Sequence, residues 1–99
     1  NFDHSLDAAI LMNAVNLAGD NDVRAFSCIH DSFGTVASDV PIMSGAIRRV
    51  SVEIFLTPVL KTLHSEMSAY LPKGHVLPEP PVLGRLDVNQ LLEADYFFA

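Results

Sequence analysis

The fold is decided by one stretch, FSCIHDSFGTV at residues 26–36. Residues 26–29 are largely apolar and of strand length, and residues 33–36 combine an aromatic residue, Thr and Val with one Gly. We predict two antiparallel strands joined at residues 30–32, His-Asp-Ser, which places the polar trio at a hairpin tip. A carboxylate on such a short connection, that of Asp31, is well placed to hold Mg²⁺, which prefers oxygen ligands. One Asp cannot hold a catalytic metal pair alone.

The residues before this stretch predict one buried helix. From Ser5 to Ala18, apolar residues recur at helical spacing over a broad face. Asp3 or Ser5 can cap its start, since short polar side chains accept hydrogen bonds from the free amide groups there. Gly19 can end it, because glycine readily adopts the left-handed conformation that follows many helices.

Two helices in tandem are predicted after the stretch, within residues 39–71. Pro41 suits a first helical turn, where the missing backbone donor costs nothing. Pro58 would break a continuing helix but suits the first turn of a new one. We therefore expect a second helix to begin at Thr57-Pro58 rather than one long helix.

The last part of the chain predicts an extended connection and a short helix. Proline recurs between Pro72 and Gly84, a composition that sustains neither a helix nor a central strand. Asp87 and Gln90 form a candidate capping box for a helix through Ala94, which an aromatic tail follows. The predicted fold class is α+β: a helix, an antiparallel hairpin, two further helices, a proline-rich connection and a short terminal helix.

Composition limits the classes of function. The chain has 99 residues, 49% of them hydrophobic, which is enough for the core of one modest domain. Twelve acidic and six basic residues give a net charge of −6, which works against independent binding to a polyanion. The single Cys28 excludes an intrachain disulfide and a Cys-rich zinc site, and we predict a buried free thiol. No apolar run is long enough for a membrane span, and the start does not resemble a signal peptide.

Residues 30–35, His-Asp-Ser-Phe-Gly-Thr, resemble palm motif C of the bacteriophage-type single-subunit DNA-directed RNA polymerases. Two further stretches resemble the same family in the same order: residues 1–7, Asn-Phe-Asp-His-Ser-Leu-Asp, and residues 92–99, Leu-Glu-Ala-Asp-Tyr-Phe-Phe-Ala. A His-Asp-Ser turn alone is common in proteins, whereas three matches in the same order are specific to this family. The resemblance covers nearly the whole chain but only the carboxyl-terminal part of such an enzyme. Because the chain also begins without Met, we expect a fragment or a processed product.

The resemblance implies a division of residues 1–99 within a larger right-hand polymerase fold. Residues 1–20 would be a helix near the RNA–DNA hybrid, and residues 23–38 the motif C hairpin. Residues 39–71 would be the two helices, and residues 72–99 a strap and the C-terminal foot. A two-stranded hairpin is marginal by itself, so we expect its sheet to need a strand from the rest of the enzyme.

The resemblance also implies roles for individual residues. Asp31 would bind two Mg²⁺ ions, shared with an Asp outside this chain, for two-metal nucleotidyl transfer. His30 would be catalytic by orienting the site or touching the primer end. His4 would contact the RNA–DNA hybrid from its minor-groove side, where contacts test pairing geometry rather than sequence. Phe98 and Ala99 would form the C-terminal foot, with the free carboxylate near the active centre.

Simpler interpretations stay open for the same residues. Asp31 alone could be a surface turn residue, His30 a histidine hydrogen-bonded within the palm, and His4 an exposed histidine near a helix start. Asp7 matches the family pattern and could anchor the first helical turn, but a solvated first-turn acid is equally consistent with charge preference. We do not predict Asp7 to be a metal ligand.

Two classes of function follow. The first is part of a DNA-directed RNA polymerase, a nucleotidyltransferase that is inactive alone and is completed by upstream sequence or a partner chain. Its partners would be the rest of the polymerase, DNA template, RNA product and nucleoside triphosphates, with no membrane. The second is a non-catalytic palm-like module that binds a partner protein. A DNA polymerase is less favoured because those enzymes typically carry Glu where this chain has Ser32.

The residues after the His-Asp pair also indicate a cellular location for such an enzyme. Ser-Phe-Gly-Thr at residues 32–35 favours the phage branch of the family, although the aromatic tail is closer to some organellar relatives. We expect the cytoplasm of a phage-infected bacterium or a virion, and an organelle is less favoured.

Overall fold

A computed structural model of the chain describes residues 1–97. In chain order the elements are helix α1 (Phe2–Asp20), strands β1 (Ser27–Ile29) and β2 (Ser32–Gly34), a 3-10 turn (Ala37–Asp39), helices α2 (Val40–Leu56) and α3 (Val59–Ala69), and a short 3-10 helix (Val88–Leu92). Helices and one small antiparallel sheet therefore occur in one chain, which confirms the α+β class.

Helix α1 is longer than predicted at both ends. It begins at Phe2 with Asn1 as its N-cap, and neither Asp3 nor Ser5 caps it. The Ser5 hydroxyl instead donates to the Asn1 carbonyl at 2.8 Å. The prediction that Gly19 ends the helix is wrong: the helix continues to Asp20, and the left-handed conformation falls on Asp22, at φ 70°.

One hydrophobic core joins α1, α2 and the chain that follows α1. Its buried members are Ala14, Ala18, Val23, Met43, Ala46 and Ile47. Three of these six are alanines, whose small side chains let the two helices approach closely. Larger side chains, Leu17, Phe26, Phe33 and Phe97, pack around this cluster and are only partly buried. Because Phe26 directly precedes β1 and Phe33 lies within β2, the core also holds the hairpin in place.

The hairpin turn is tighter than predicted. Ile29 pairs with Ser32, so only His30 and Asp31 form the connection and Ser32 belongs to β2. His30 has a positive φ of 54°, because two-residue hairpin turns need that geometry to match the twist of the strands. At the other end, a Cβ on Gly34 would lie 3.2 Å from the Ser27 Cβ, which explains a glycine there.

Cys28 contradicts the prediction of a buried thiol. It lies in β1 but is exposed, as are both of its neighbours in the strand. The reason is the size of the sheet: with two strands, one edge of β1 has no neighbouring strand among the described residues, and all three residues of β1 are exposed. The apolar composition of the strand therefore predicted pairing correctly but burial wrongly.

The tandem helices are confirmed. Helix α2 begins at Val40 with Pro41 in its first turn, and Thr57 adopts an extended conformation that separates it from α3. Pro58 is the N-cap of α3 rather than part of its first turn. Helix α3 buries none of its side chains among the described residues, and its Met67 is 51% exposed.

The connection and the short terminal helix also match the prediction in outline. No helix or strand occurs between α3 and Asp87. The Asp87 carboxylate accepts from the Asn89 amide at 3.0 Å, but the helix that it caps is 3-10 and ends at Leu92, before Ala94. Among residues 1–97, no helix has both the length and the apolar composition needed to cross a membrane.

Candidate active site at the hairpin tip

The hairpin tip and the start of α1 face one another across a cavity of about 590 Å³. His30 and Asp31 border it from the tip, and His4 and Asp7 border it from the helix. His4 and Asp7 are three residues apart, so they lie on the same side of α1. The structure thus brings together residues of two sequence motifs that are separated by more than twenty positions.

Asp31 presents a free carboxylate to this cavity. Its side chain is exposed and makes no hydrogen bond or ion pair to another residue of the part that the structure describes. Asp7 is also exposed, and both residues line a second cavity of about 230 Å³. Oxygen donors of this kind suit a hard cation such as Mg²⁺.

The described residues do not complete a metal site. Within residues 1–97, no group of three or more His, Cys, Asp or Glu side chains is arranged to hold a metal ion. The chemistry of Asp31 therefore fits a ligand to Mg²⁺, but only together with ligands from outside these residues.

A third cavity, of about 600 Å³, also borders the hairpin. It extends from Asp31 along β2 to the first turns of α2, and Phe97 forms part of its wall. Phe97 also borders the 230 Å³ cavity, together with Phe33 and Ser51. The same aromatic ring therefore contributes to cavities that both reach Asp31.

The C-terminal tail is described as far as Phe97. Phe98 and Ala99, the predicted foot, lie outside the described residues. Phe97 is partly buried against the core, and the guanidinium of Arg48 lies 5.6 Å from the centre of its ring. Tyr96 is 94% exposed, so only Phe97 of these two aromatic residues packs within the chain.

Sequence reasoning did not single out Arg48. The guanidinium of Arg48 donates to the carbonyl of Leu91 at 2.7 Å, across 43 residues of sequence. No local pattern indicates such a contact, because it depends on how the terminal segment folds back on α2. In the sequence, Arg48 and Arg49 stand out only as the one pair of adjacent basic residues.

Comparisons with known proteins place the chain among the RNA polymerases. A family model described as DNA-dependent RNA polymerase matches residues 1–77. The mitochondrial DNA-directed RNA polymerase 1 of Arabidopsis thaliana is 38% identical over 99% of this chain and 10% of its own length. DNA-directed RNA polymerase 1A of Nicotiana tabacum is 35% identical over 99% of this chain and 62% of its own length.

A phage enzyme matches as well. T7 RNA polymerase of Escherichia phage T7 is 31% identical over the whole chain and 12% of its own length. No solved structure gives a significant match. The relatives include organellar and phage enzymes, so they do not single out the phage branch. The chain spans about a tenth of the Arabidopsis and phage relatives, and because a family model matches most of its residues, it belongs to the DNA-dependent RNA polymerase family of the phage T7 type.

Proposed function

We propose that this chain supplies Asp31 to the metal site of a DNA-directed RNA polymerase that makes RNA from nucleoside triphosphates. The observation that carries the proposal is the cavity at the hairpin tip, where Asp31 and His30 face His4 and Asp7. Membership of the polymerase family supports it, since the motif C resemblance falls on this tip.

Asp31 would hold Mg²⁺ jointly with an Asp outside the chain. Two Mg²⁺ ions at such a site would stabilise the attacking and leaving oxygens of nucleotidyl transfer. The protein's own contribution is a carboxylate on a two-residue turn, held between paired strands that the core residue Phe33 anchors. His30 would orient the site beside Asp31, and His4 would contact the RNA–DNA hybrid across the cavity.

The chain would act only with the rest of the polymerase. With twelve acidic and six basic residues, it offers few cations to neutralise nucleic-acid phosphates, so most of the basic cleft would come from elsewhere. In its catalytic domain, the helix near the RNA–DNA hybrid would be residues 1–20 and the motif C hairpin residues 23–38. The two further helices would be residues 39–71, and the strap with the C-terminal foot residues 72–99. Phe98 and Ala99 would complete the foot. A location in a phage-infected bacterium or a virion also stays a prediction.

The test of this proposal is RNA synthesis by the complete polymerase that contains this chain, assayed with Mg²⁺ and four nucleotides. Asp31→Asn is the decisive variant, because it removes the carboxylate charge and keeps the shape of the side chain. If synthesis survives that change undiminished, the alternative class is favoured, in which the chain is a non-catalytic module that binds a partner protein.

His30→Asn is expected to lower RNA synthesis about tenfold, less than the roughly 10²–10⁴-fold contribution of a general acid or base, because His30 would orient the site rather than transfer a proton. Asn tolerates positive φ, so residue 30 should keep its φ of 54° and the turn its shape, while the imidazole is lost. The measurement is the steady-state rate of the complete polymerase. A variant as active as the wild type would leave His30 with only the conformational role at the turn.

His4→Ala is expected to shorten the RNA products several-fold in length, because a contact to the hybrid would stabilise the elongating complex. His4 is exposed on the first turns of α1, so its removal should leave the fold intact. The matched control is His75→Ala, an exposed histidine in the proline-rich connection. Equal product lengths for the two variants, resolved on a denaturing gel, would argue against a hybrid contact.

A further inference from the structure

Arg48 connects the middle of α2 to the terminal segment by a hydrogen bond. Its Nη1 donates to the Leu91 carbonyl at 2.7 Å, and the bond is partly buried. Leu91 lies near the end of the short 3-10 helix (Val88–Leu92), where carbonyl groups lack partners within the helix. The arginine therefore satisfies a carbonyl that the short helix leaves free, and it does so with a charged donor, which strengthens the bond.

The same guanidinium also lies over the aromatic ring of Phe97, six residues after Leu91. Its central carbon is 5.6 Å from the centre of the Phe97 ring, within the range of a cation–π contact. Arg48 thus holds both ends of residues 91–97 against α2. A planar guanidinium can donate within its plane and stack through its face, whereas the ammonium group of lysine cannot do both in this way.

Phe97 is placed so that its position affects the hairpin. The ring packs against the buried cluster of α1 and α2, beside the side chain of Phe33 in that cluster's partly buried shell. It borders the 600 Å³ cavity and the 230 Å³ cavity, and Asp31 and Phe33 lie on the walls of both. A displaced Phe97 would enlarge both of these cavities, which Phe33 of β2 and Asp31 also border.

We propose that Arg48 is a positioning residue for the candidate active site. By holding Phe97 at the cavity walls that it shares with Phe33 and Asp31, Arg48 keeps β2 packed and Asp31 at a constant position at the tip. The effect on catalysis rests on the proposed function, whereas the effect on the terminal segment does not. Arg48 is not expected to touch substrate, so its loss should lower kcat more than it changes KM for nucleotides.

The experiment compares Arg48→Ala, Arg48→Lys and Arg49→Ala in the complete polymerase. Arg49 is the matched control because it follows Arg48 on α2, is exposed and makes no side-chain hydrogen bond or ion pair within residues 1–97. Hydrogen–deuterium exchange of peptides that cover residues 88–97 reports the docking of the segment. Steady-state kinetics with varied nucleotide reports kcat and KM separately.

For Arg48→Ala we expect faster exchange in the terminal segment and a kcat lowered about tenfold, since sub-ångström to ångström displacements of a catalytic group have effects of this order or larger. KM should change less than about twofold, because substrate-binding groups are untouched. Arg48→Lys should give intermediate values for exchange and kcat, and Arg49→Ala should match the wild type. If Arg48→Ala fails to fold, Arg48→Lys carries the comparison.

The proposal is overturned if both Arg48 variants match Arg49→Ala in exchange and in kcat. It is also overturned if the terminal segment loosens while kcat stays at the wild-type value, because docking would then not affect the site. A polymerase in which Asp31→Asn remains active would reject the proposed function instead, and the exchange result would still show whether Arg48 holds the segment.

Discussion

Asp31→Asn is expected to reduce RNA synthesis by the complete polymerase by about a hundredfold to a thousandfold, the range for the loss of a central electrostatic group in other enzymes. Asn has the shape of Asp but no negative charge, and a neutral amide is a much weaker ligand for Mg²⁺. The fold should be unaffected, since the carboxylate is exposed and bonds to no other described residue. The measurement is incorporation of labelled nucleotide into RNA.

The control for this experiment is Asp20→Asn, which removes one exposed carboxylate at the end of α1, away from the cavities that Asp31 borders. It should retain the wild-type rate. An equal and modest loss in both variants would indicate a general charge effect and would contradict a metal-binding role for Asp31. Melting temperatures of the two variants should agree with that of the wild type.

Ile47→Ala is expected to lower the free energy of unfolding by about 2–5 kcal/mol, the range for a large aliphatic side chain removed from a core. Ile47 is 5% exposed and belongs to the cluster between α1 and α2. It also lies on the wall of the 600 Å³ cavity, so the shortened side chain would enlarge a space that already exists. A loss of this size is a large fraction of the roughly 5–15 kcal/mol that stabilises a typical domain.

The matched control is Ile42→Ala, the same change one and a half turns earlier on α2, where the side chain is 40% exposed. Urea denaturation, followed by the helical circular dichroism signal, measures both variants. The Ile42 variant should lose clearly less stability, because much of its side chain is already in contact with water. Equal losses would mean that the α1–α2 interface is not the centre of the core.

Local sequence rules predicted the structure correctly where a residue restricts its own backbone conformation or that of its neighbours. Pro41 and Pro58 predicted the starts of two helices, and Asp87 predicted a cap, because each effect acts within a few residues. The same rules failed at Gly19, where permissive geometry allowed a helix end without requiring it. The left-handed conformation was instead adopted by Asp22, as the chain turned to bury Val23.

In the hairpin, the sequence pattern predicted which segments pair but not which side chains are buried. The apolar stretch predicted paired strands correctly, since pairing depends on short-range alternation and a tight turn. Burial of Cys28 was wrong, because burial depends on whether another layer covers the strand. Ser32 was assigned to the turn for its polarity, yet the register places it opposite Ile29 in the sheet.

By itself the sequence determined the family, the order of the elements and which polar residues to consider, because motifs and turn chemistry are local. Only the tertiary structure decided that His4 and Asp7 face His30 and Asp31 across one cavity. It also decided that Arg48 reaches Leu91 and Phe97, more than forty residues away. The physical reason is that these contacts follow from how α1 and the terminal segment pack on α2. That packing depends on the volumes of side chains along the whole chain, so no single spacing or motif predicts it.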